Sequence, residues 1–298
     1  MSSLDLFHPL IKKWFLEKYT APTDIQEKSW KAVSEDKNIL AAAPTGSGKT
    51  LTAFLFAINN FVTGKFETGK LGVLYVSPLK ALNNDVKKNL LTPIGELKNF
   101  FEARGETFPQ IRVMTRSQDT SYEDRREIAK YPPEIFITTP ESLNIILTSK
   151  NNRKILSSVK TLILDEIHYL ANSKRGTHLI TAVDRITLLA GEFQRIALSA
   201  TVSPEKLVAE FVAGFKIPKD FKNPTYEKRD ISIIKSSIKK EYSLSVKYPD
   251  IKTETFDNEP IWLALRDVFK DIIKNNDSTL LFANSRRIVE KMTRFINE

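Results

Sequence analysis

Ala43-Pro44-Thr45-Gly46-Ser47-Gly48-Lys49-Thr50 joins an apolar run, Asn38 to Ala43, to an apolar, helix-forming stretch from Leu51 to Ile58. Between a strand and a helix, such a loop cradles phosphate. Its N–H groups and the helix N-terminus point at phosphate oxygens, and Gly46 and Gly48 let the backbone turn and approach closely. Lys49 is then placed to neutralise the β- and γ-phosphates of ATP, and the Thr50 hydroxyl to ligate Mg²⁺. Ala43 stands where the usual pattern has its first Gly. A second constellation, Asp165-Glu166-Ile167-His168, closes the run Val159 to Leu164. Magnesium keeps most of its water and needs a carboxylate nearby, the role that fits Asp165. Glu166 then sits where a carboxylate can orient and deprotonate an attacking water. His168 is placed to sense the γ-phosphate side and link it to Ser199-Ala200-Thr201, whose hydroxyls at Ser199 and Thr201 can couple domain closure. The plain alternatives are an acidic strand cap and a core histidine.

These residues need elements to hold them. Short apolar runs recur at Asn38 to Ala43, Val73 to Val76, Ile111 to Met114, Ile135 to Ile137, Leu162 to Leu164 and Ile196 to Leu198, with helix-like stretches between. Continuous apolar strands alternating with helices predict a parallel sheet covered on both faces. All but one of the runs lead into a polar or glycine-containing segment, and in open α/β sheets ligands bind at the carboxyl ends of strands. The candidate residues therefore gather along one rim. The spacing of Leu6, Phe7, Leu10, Ile11, Trp14 and Phe15 predicts an amphipathic helix at the start. After Pro204 the texture changes, and Lys216 to Asp257 is rich in Lys, Pro and Asn, with one alternating run at Tyr242 to Val246. The expected organisation is a first domain over 1–215, a linker over 216–240 and the truncated start of a second domain over 241–298. In that last part the pattern predicts a helix over 262–274, a strand over 279–283 and a helix from Arg286.

The 298 residues are 41% hydrophobic and 27% charged, ordinary for a globular protein. A net charge of +9 favours a polyanion, nucleic acid before membrane, against the blander reading of a Lys-rich solvated surface. With no Cys, disulfides, thiol catalysis and Cys-ligated zinc are excluded, and a cytoplasmic setting is expected. The start Met1-Ser2-Ser3-Leu4 has no signal-peptide pattern, and polar residues break every apolar stretch short of a membrane span.

Taken in order, these segments resemble the superfamily-two DEAD/DEAH-type helicases, and in particular the Lhr (large helicase-related) group. The resemblance covers nearly the whole chain. It rests on residues 43–50, Ser-Pro-Leu-Lys-Ala-Leu-Asn-Asn-Asp at 77–85, Thr-Thr-Pro-Glu-Ser-Leu at 138–143, Asp-Glu-Ile-His at 165–168, Ser-Lys-Arg-Gly at 173–176 and Leu-Ser-Ala-Thr-Val at 198–202. It implies a RecA-like first domain and a truncated second one, and ATP-driven movement along single-stranded nucleic acid, DNA favoured over RNA, in the 3′ to 5′ direction. Pro22-Thr23-x-x-Gln26 resembles the family's adenine-reading motif, with Tyr19 placed to stack on the base or, alternatively, to pack in the core. The strand contacts implied are Ser77, Pro78 and Lys80; Thr138, Thr139, Glu141 and Ser142; Arg116, Arg175 and Gly176; and, in the second domain, Asn284 and Arg286. Lys80, Arg116 and Arg175, each taken alone, read first as solvated surface charges. Gln118 departs from the group, which usually has Gly there, and the later second-domain motifs, including the one with arginine fingers, are missing. The chain as given is therefore expected to bind nucleotide, to hydrolyse it barely if at all, and to unwind nothing. An ATP-gated RNA clamp and an inactive binding remnant are the rival expectations.

Overall fold

The computed structural model describes residues 2–78, 80–200, 203–218, 220, 222–237, 243–248 and 259–297, apart from the side chains of 80–84 and 259–261. Its two units are residues 1–240 and 241–298.

In the first unit seven strands form one sheet: β1 (Asn38–Ala42), β2 (Val73–Val76), β3 (Val113–Arg116), β4 (Ile135–Thr138), β5 (Thr161–Leu164), β6 (Gln194–Ser199) and β7 (Ile231–Lys235). Their order is β3-β4-β2-β5-β6-β1-β7, and every pairing is parallel. The apolar runs form this sheet because side chains alternate across it and both faces must be covered. Ile39 and Ala41 face one core while Leu40 faces the other, and Ile163 opposes Leu162 and Leu164 in the same way. The first core is closed by α1 (Pro9–Tyr19), α2 (Asp24–Ser34), α3 (Lys49–Val62) and α4 (Lys80–Glu102). The second is closed by α5 (Tyr122–Lys130), α6 (Pro140–Thr148), α7 (Lys174–Ala190) and α8 (Glu205–Ala213), with a short 3-10 stretch, Asn152–Ser158. Because all strands run the same way, the segments after β1, β2, β4, β5 and β6 share one rim, as the sequence predicts.

Two expectations change. The third strand lies at 113–116, two residues later than the apolar run implies. Within the stretch expected as a linker, Ile231–Lys235 is the seventh strand, paired along β1. Residues before it are tied down as well. Arg229 donates from Nη1 to the Ala213 carbonyl at 3.0 Å and from Nε to Glu192 at 2.7 Å. Arg195, 1% exposed, donates to the Val212 carbonyl at 3.1 Å and to that of Ala213. Two guanidinium groups thus satisfy the orphan carbonyls at the end of α8, where positive charge also complements the helix dipole. A Lys-, Pro- and Asn-rich composition hid this because the anchoring is made by buried arginines, not by apolar periodicity.

In the second unit, α9 (Glu259–Lys274) and α10 (Arg286–Asn297) pack together, with Lys291 Nζ 4.5 Å from the centre of the Trp262 ring and Met292 buried. The strand expected over 279–283 forms no ladder among the described residues. A strand exists only by pairing its N–H and C=O groups with a neighbour, and no described residue of this unit supplies one.

Candidate nucleotide site

β1 delivers the chain into the phosphate loop beside β6, and the Ala43 N–H donates to the Ser199 carbonyl at 3.1 Å. Gly46 and Gly48 have φ of 82° and 85°, left-handed values that favour glycine. Gly48 is constrained twice, because a Cβ there would lie 2.7 Å from Gln26 Nε2. Ala43 is not among the residues of positive φ, so the backbone does not demand the usual glycine. Lys49 opens α3 and curls back, its Nζ donating to the carbonyls of Ala43 and, at 2.9 Å, Pro44. The Ser47 hydroxyl is buried with no hydrogen-bond partner among the described residues, a donor a phosphate oxygen would satisfy.

Thr23 ties the start of α2 to this loop, its hydroxyl donating to the Ser47 carbonyl at 3.0 Å. Gln26 is 3% exposed, and its Oε1 accepts from the Thr23 N–H at 2.9 Å. This bond is half of the capping box that starts α2, with Thr23 as N-cap and Gln26 three residues on. Tyr19, at 40% exposure, lines a cleft of about 320 Å³ with Lys18, Thr50, Leu51, Phe54 and Pro93. It also packs on Trp14 and Phe15.

Asp165 directly follows β5 and is buried. One carboxylate oxygen accepts from the Glu166 N–H at 2.9 Å, and the other accepts from the Tyr75 hydroxyl. Tyr75, on β2, was not singled out from the sequence. It looks like one more apolar strand residue, fully buried and stacked on Phe54 with ring centres 5.1 Å apart. Its partner across the ladder is Ile163, and Asp165 is two residues further along the same face. Burial, then the Asp165 charge and the hydrogen bond to it, hold this phenol protonated well above its usual range.

Glu166 has φ 48°, a left-handed conformation that costs an ordinary side chain roughly 1–3 kcal/mol and is common where function requires it. Burial and then the Asp165 carboxylate push its carboxyl above the ordinary value, against the pull of His168 and Lys49. His168 Nδ1 lies 3.4 Å from Glu166 Oε2 and 3.1 Å from the Ser199 hydroxyl. So β6, the strand between β5 and β1, carries the hydroxyl that bridges the acidic segment to the phosphate loop. Thr201 lies outside the described residues.

The strand residues fare differently. Ser77, Thr138, Thr139 and Ser142 are all buried, and Pro78 is buried with them. Thr138 donates its hydroxyl to the Arg116 carbonyl at 2.9 Å, and Thr139 caps α6 by accepting from the Ser142 N–H at 3.3 Å. Arg116 is 5% exposed, and burial followed by the neighbouring Arg125 lowers its pKa, so it is not a solvated cation. Arg175 donates from Nε to Glu141 at 2.7 Å and from Nη2 to the Pro78 carbonyl at 2.9 Å, stapling three motifs together. Burial raises the Glu141 carboxyl, but the Arg175 bond and its own backbone N–H outweigh that and leave it lowered. Gly176 is buried, and a Cβ there would sit 2.0 Å from the Leu170 carbonyl oxygen. The glycine is therefore required by packing. At Gln118 φ is not positive, and the Ser117 N–H closes the turn on the Thr120 hydroxyl at 2.8 Å. The Lys80 side chain lies outside the described residues. In the second unit Asn284 and Arg286 are exposed at the start of α10, which Ser285 caps through the Ile288 N–H at 3.3 Å.

A seven-stranded parallel sheet with a phosphate loop after β1, an acidic pair after β5 and a hydroxyl after β6 defines a P-loop nucleotide-binding domain. The DEAD/DEAH box helicase family profile matches residues 23–209, and the chain belongs to that family. It is similar to the Lhr proteins within it. It is 42% identical over 297 residues to the Lhr helicase/probable uracil glycosylase of Mycolicibacterium smegmatis, covering 99% of this chain and 19% of that protein. It is 38% identical over 291 residues to the ATP-dependent helicase Lhr-Core of Methanocaldococcus jannaschii, covering 97% and 33%. The solved structure of Mycobacterium smegmatis helicase Lhr bound to ssDNA and AMP-PNP superposes with a TM-score of 0.86 at 40% identity, over 100% of this chain and 36% of that one. The chain spans a third or less of the length of these two curated relatives.

Proposed function

We propose that this chain is the nucleotide-binding part of an ATP-dependent helicase motor that moves along single-stranded DNA in the 3′ to 5′ direction, in the cytoplasm. The observation that carries the reading is the convergence of the phosphate loop, the Asp165–Glu166 pair and the His168–Ser199 bridge at the carboxyl ends of β1, β5 and β6. The Lhr structure bound to ssDNA and AMP-PNP supports the choice of strand and nucleotide.

In this reading the loop N–H groups from Gly46 to Thr50, with the Ser47 hydroxyl, hold the phosphates, and Lys49 leaves its carbonyl partners to neutralise the β- and γ-oxygens. Tyr19 lies along the cleft wall where the base rests. Thr50 and Asp165 fit Mg²⁺. Asp165 has each oxygen oriented by one donor and keeps lone pairs for the ion's water shell. The ion would neutralise charge that develops on the phosphates. Glu166, its carboxylate made more basic by burial, accepts the proton of the attacking water. His168 carries the state of that carboxylate to Ser199, and so to the rim where the strand lies. The Arg175 staple holds the 77–78 and 138–142 segments in register, so that backbone N–H groups there meet phosphates without reading sequence.

Calorimetry on Lys49→Ala and Asp165→Ala tests the site: the first weakens Mg·ATP binding and the second removes its Mg²⁺ dependence. Unchanged affinity and Mg²⁺ dependence in both would overturn the nucleotide assignment. In a motor with a complete second domain, duplexes carrying a 3′ or a 5′ single-stranded DNA tail test direction. Equal unwinding from both tails, or activity confined to RNA, would overturn the strand and polarity.

A further inference from the structure

Many described lysines of the first unit sit in ion pairs, among them Lys12 with Asp5, Lys28 with Asp24, Lys31 with Glu27, Lys65 with Asp36, Lys228 with Glu210 and Lys235 with Glu205. One region of the surface gathers several cations that do not. Arg126 and Lys130 on α5, with Lys150, Arg153 and Lys154 of the segment Lys150-Asn151-Asn152-Arg153-Lys154, form no ion pair with any described carboxylate. Arg126, Lys130 and Lys154 line one open cleft of about 850 Å³ with Tyr131 and Asn152. The carboxylate in its wall, Glu127, is committed to Arg112 at 2.9 Å. Two tyrosines stand out from this basic strip, Tyr122 at 75% exposure and Tyr131 at 52%. Arg126 lies 5.9 Å from the centre of the first ring and Lys130 5.0 Å from that of the second.

The placement gives the strip a direction. β3 ends at the rim and β4 starts at the opposite edge, so α5, which connects them, descends the side of the domain. Its nine residues cover about 14 Å from Tyr122 to Lys130. Unpaired cations flanked by exposed aromatic rings match the chemistry of a single strand: charges for phosphates and a flat face for a splayed base. We propose that this strip, Tyr122–Tyr131 with residues 150–154, is a second single-strand binding surface that takes the strand as it leaves the rim and guides it down the flank of the first domain. It rests on the proposed function only for the identity of the polyanion, since the strip shares no residue with the nucleotide site or with the 138–142 and 175 segments.

The test uses the whole chain and a 4-thiothymidine-substituted oligodeoxynucleotide of about 30 residues, long enough for more than one site. Photo-crosslinks are expected in 122–131 and 150–154 as well as in 138–142. The triple variant Arg126→Ala, Lys130→Ala, Lys154→Ala is expected to flatten the log–log salt slope of binding by about 2, from about 0.7 for each lost phosphate contact. Tyr122→Ala with Tyr131→Ala, which keeps the charges, is expected to cost at least about tenfold in affinity through lost stacking. Crosslinks confined to the rim, or an unchanged slope in a triple variant that keeps its circular dichroism and nucleotide binding, would overturn the second surface and leave the motor reading intact. Absence of any strand binding by the unaltered chain would overturn both. Displacement of the oligonucleotide by poly-glutamate at matched charge, as readily as by unlabelled strand, would overturn the assignment to nucleic acid.

Discussion

Tyr75→Phe removes one oxygen atom and leaves the rest of the site in place. The ring still stacks on Phe54, with centres 5.1 Å apart, and the Asp165 main chain remains pinned by its N–H bond to the Val76 carbonyl at 2.9 Å. What is lost is the donor to one carboxylate oxygen of Asp165, in a place too buried for water to substitute freely. A hydrogen bond to a charged group contributes about 1.5–3 kcal/mol, which corresponds to roughly 10- to 150-fold. Partners of metal-ligating groups typically change metal affinity by about 10- to 100-fold. We expect the Mg²⁺ midpoint for nucleotide binding to rise by roughly 10- to 100-fold, with metal-free nucleotide binding unchanged and turnover recovered at high Mg²⁺. Calorimetry with ATP across a Mg²⁺ series, repeated with Mn²⁺ and its electron paramagnetic resonance signal, reads the midpoint without depending on activity. A melting temperature that falls while the metal midpoint stays within about twofold of the unaltered chain would show that the phenol serves the fold and not the metal.

Three further outcomes follow from the same geometry. In a motor with a complete second domain, Glu166→Gln should keep nucleotide binding and abolish turnover. Because burial raises the Glu166 pKa in the folded chain, the stability this group contributes is present at acid pH and lost as pH rises through that raised value. The Gln variant, melted in chelator, should therefore outlast the unaltered chain at pH 7 by more than it does near pH 4, and an equal difference at both would refute the burial argument. Gly176→Ala should lose roughly 1–3 kcal/mol or fail to fold, because its Cβ would meet the Leu170 carbonyl oxygen; a denaturation midpoint equal to that of the unaltered chain would contradict it. Arg175→Ala should weaken strand binding while leaving the log–log salt slope within about 0.3 of its original value, since its guanidinium is spent on Glu141 and Pro78. A slope flattened by the full ~0.7 would make it a phosphate contact after all.

The amino-acid order alone determined the type of sheet, its two covered faces and the shared rim, because each is a local consequence of apolar runs, strand direction and the polar segments that follow. It also determined the phosphate loop and the acidic strand end, since both are contiguous in the chain and their chemistry depends on neighbours a few residues away. Tertiary structure decided what depends on residues far apart in sequence. Tyr75 became a partner of Asp165 only when β2 was laid beside β5, and nothing in Val-Leu-Tyr-Val announces that its phenol meets a carboxylate. Arg175 reads from sequence as a free cation and becomes a staple because β2, α6 and the start of α7 converge. Gly176 reads as part of a strand-binding motif and turns out to be required by the Leu170 carbonyl. The seventh strand was hidden in a polar stretch because edge strands need only one neighbour, and buried arginines rather than apolar side chains secure the chain leading into it. Sequence carries the chemistry that is local, whereas the orientation of a charge or a hydroxyl is set by whichever distant backbone or side chain the fold brings against it.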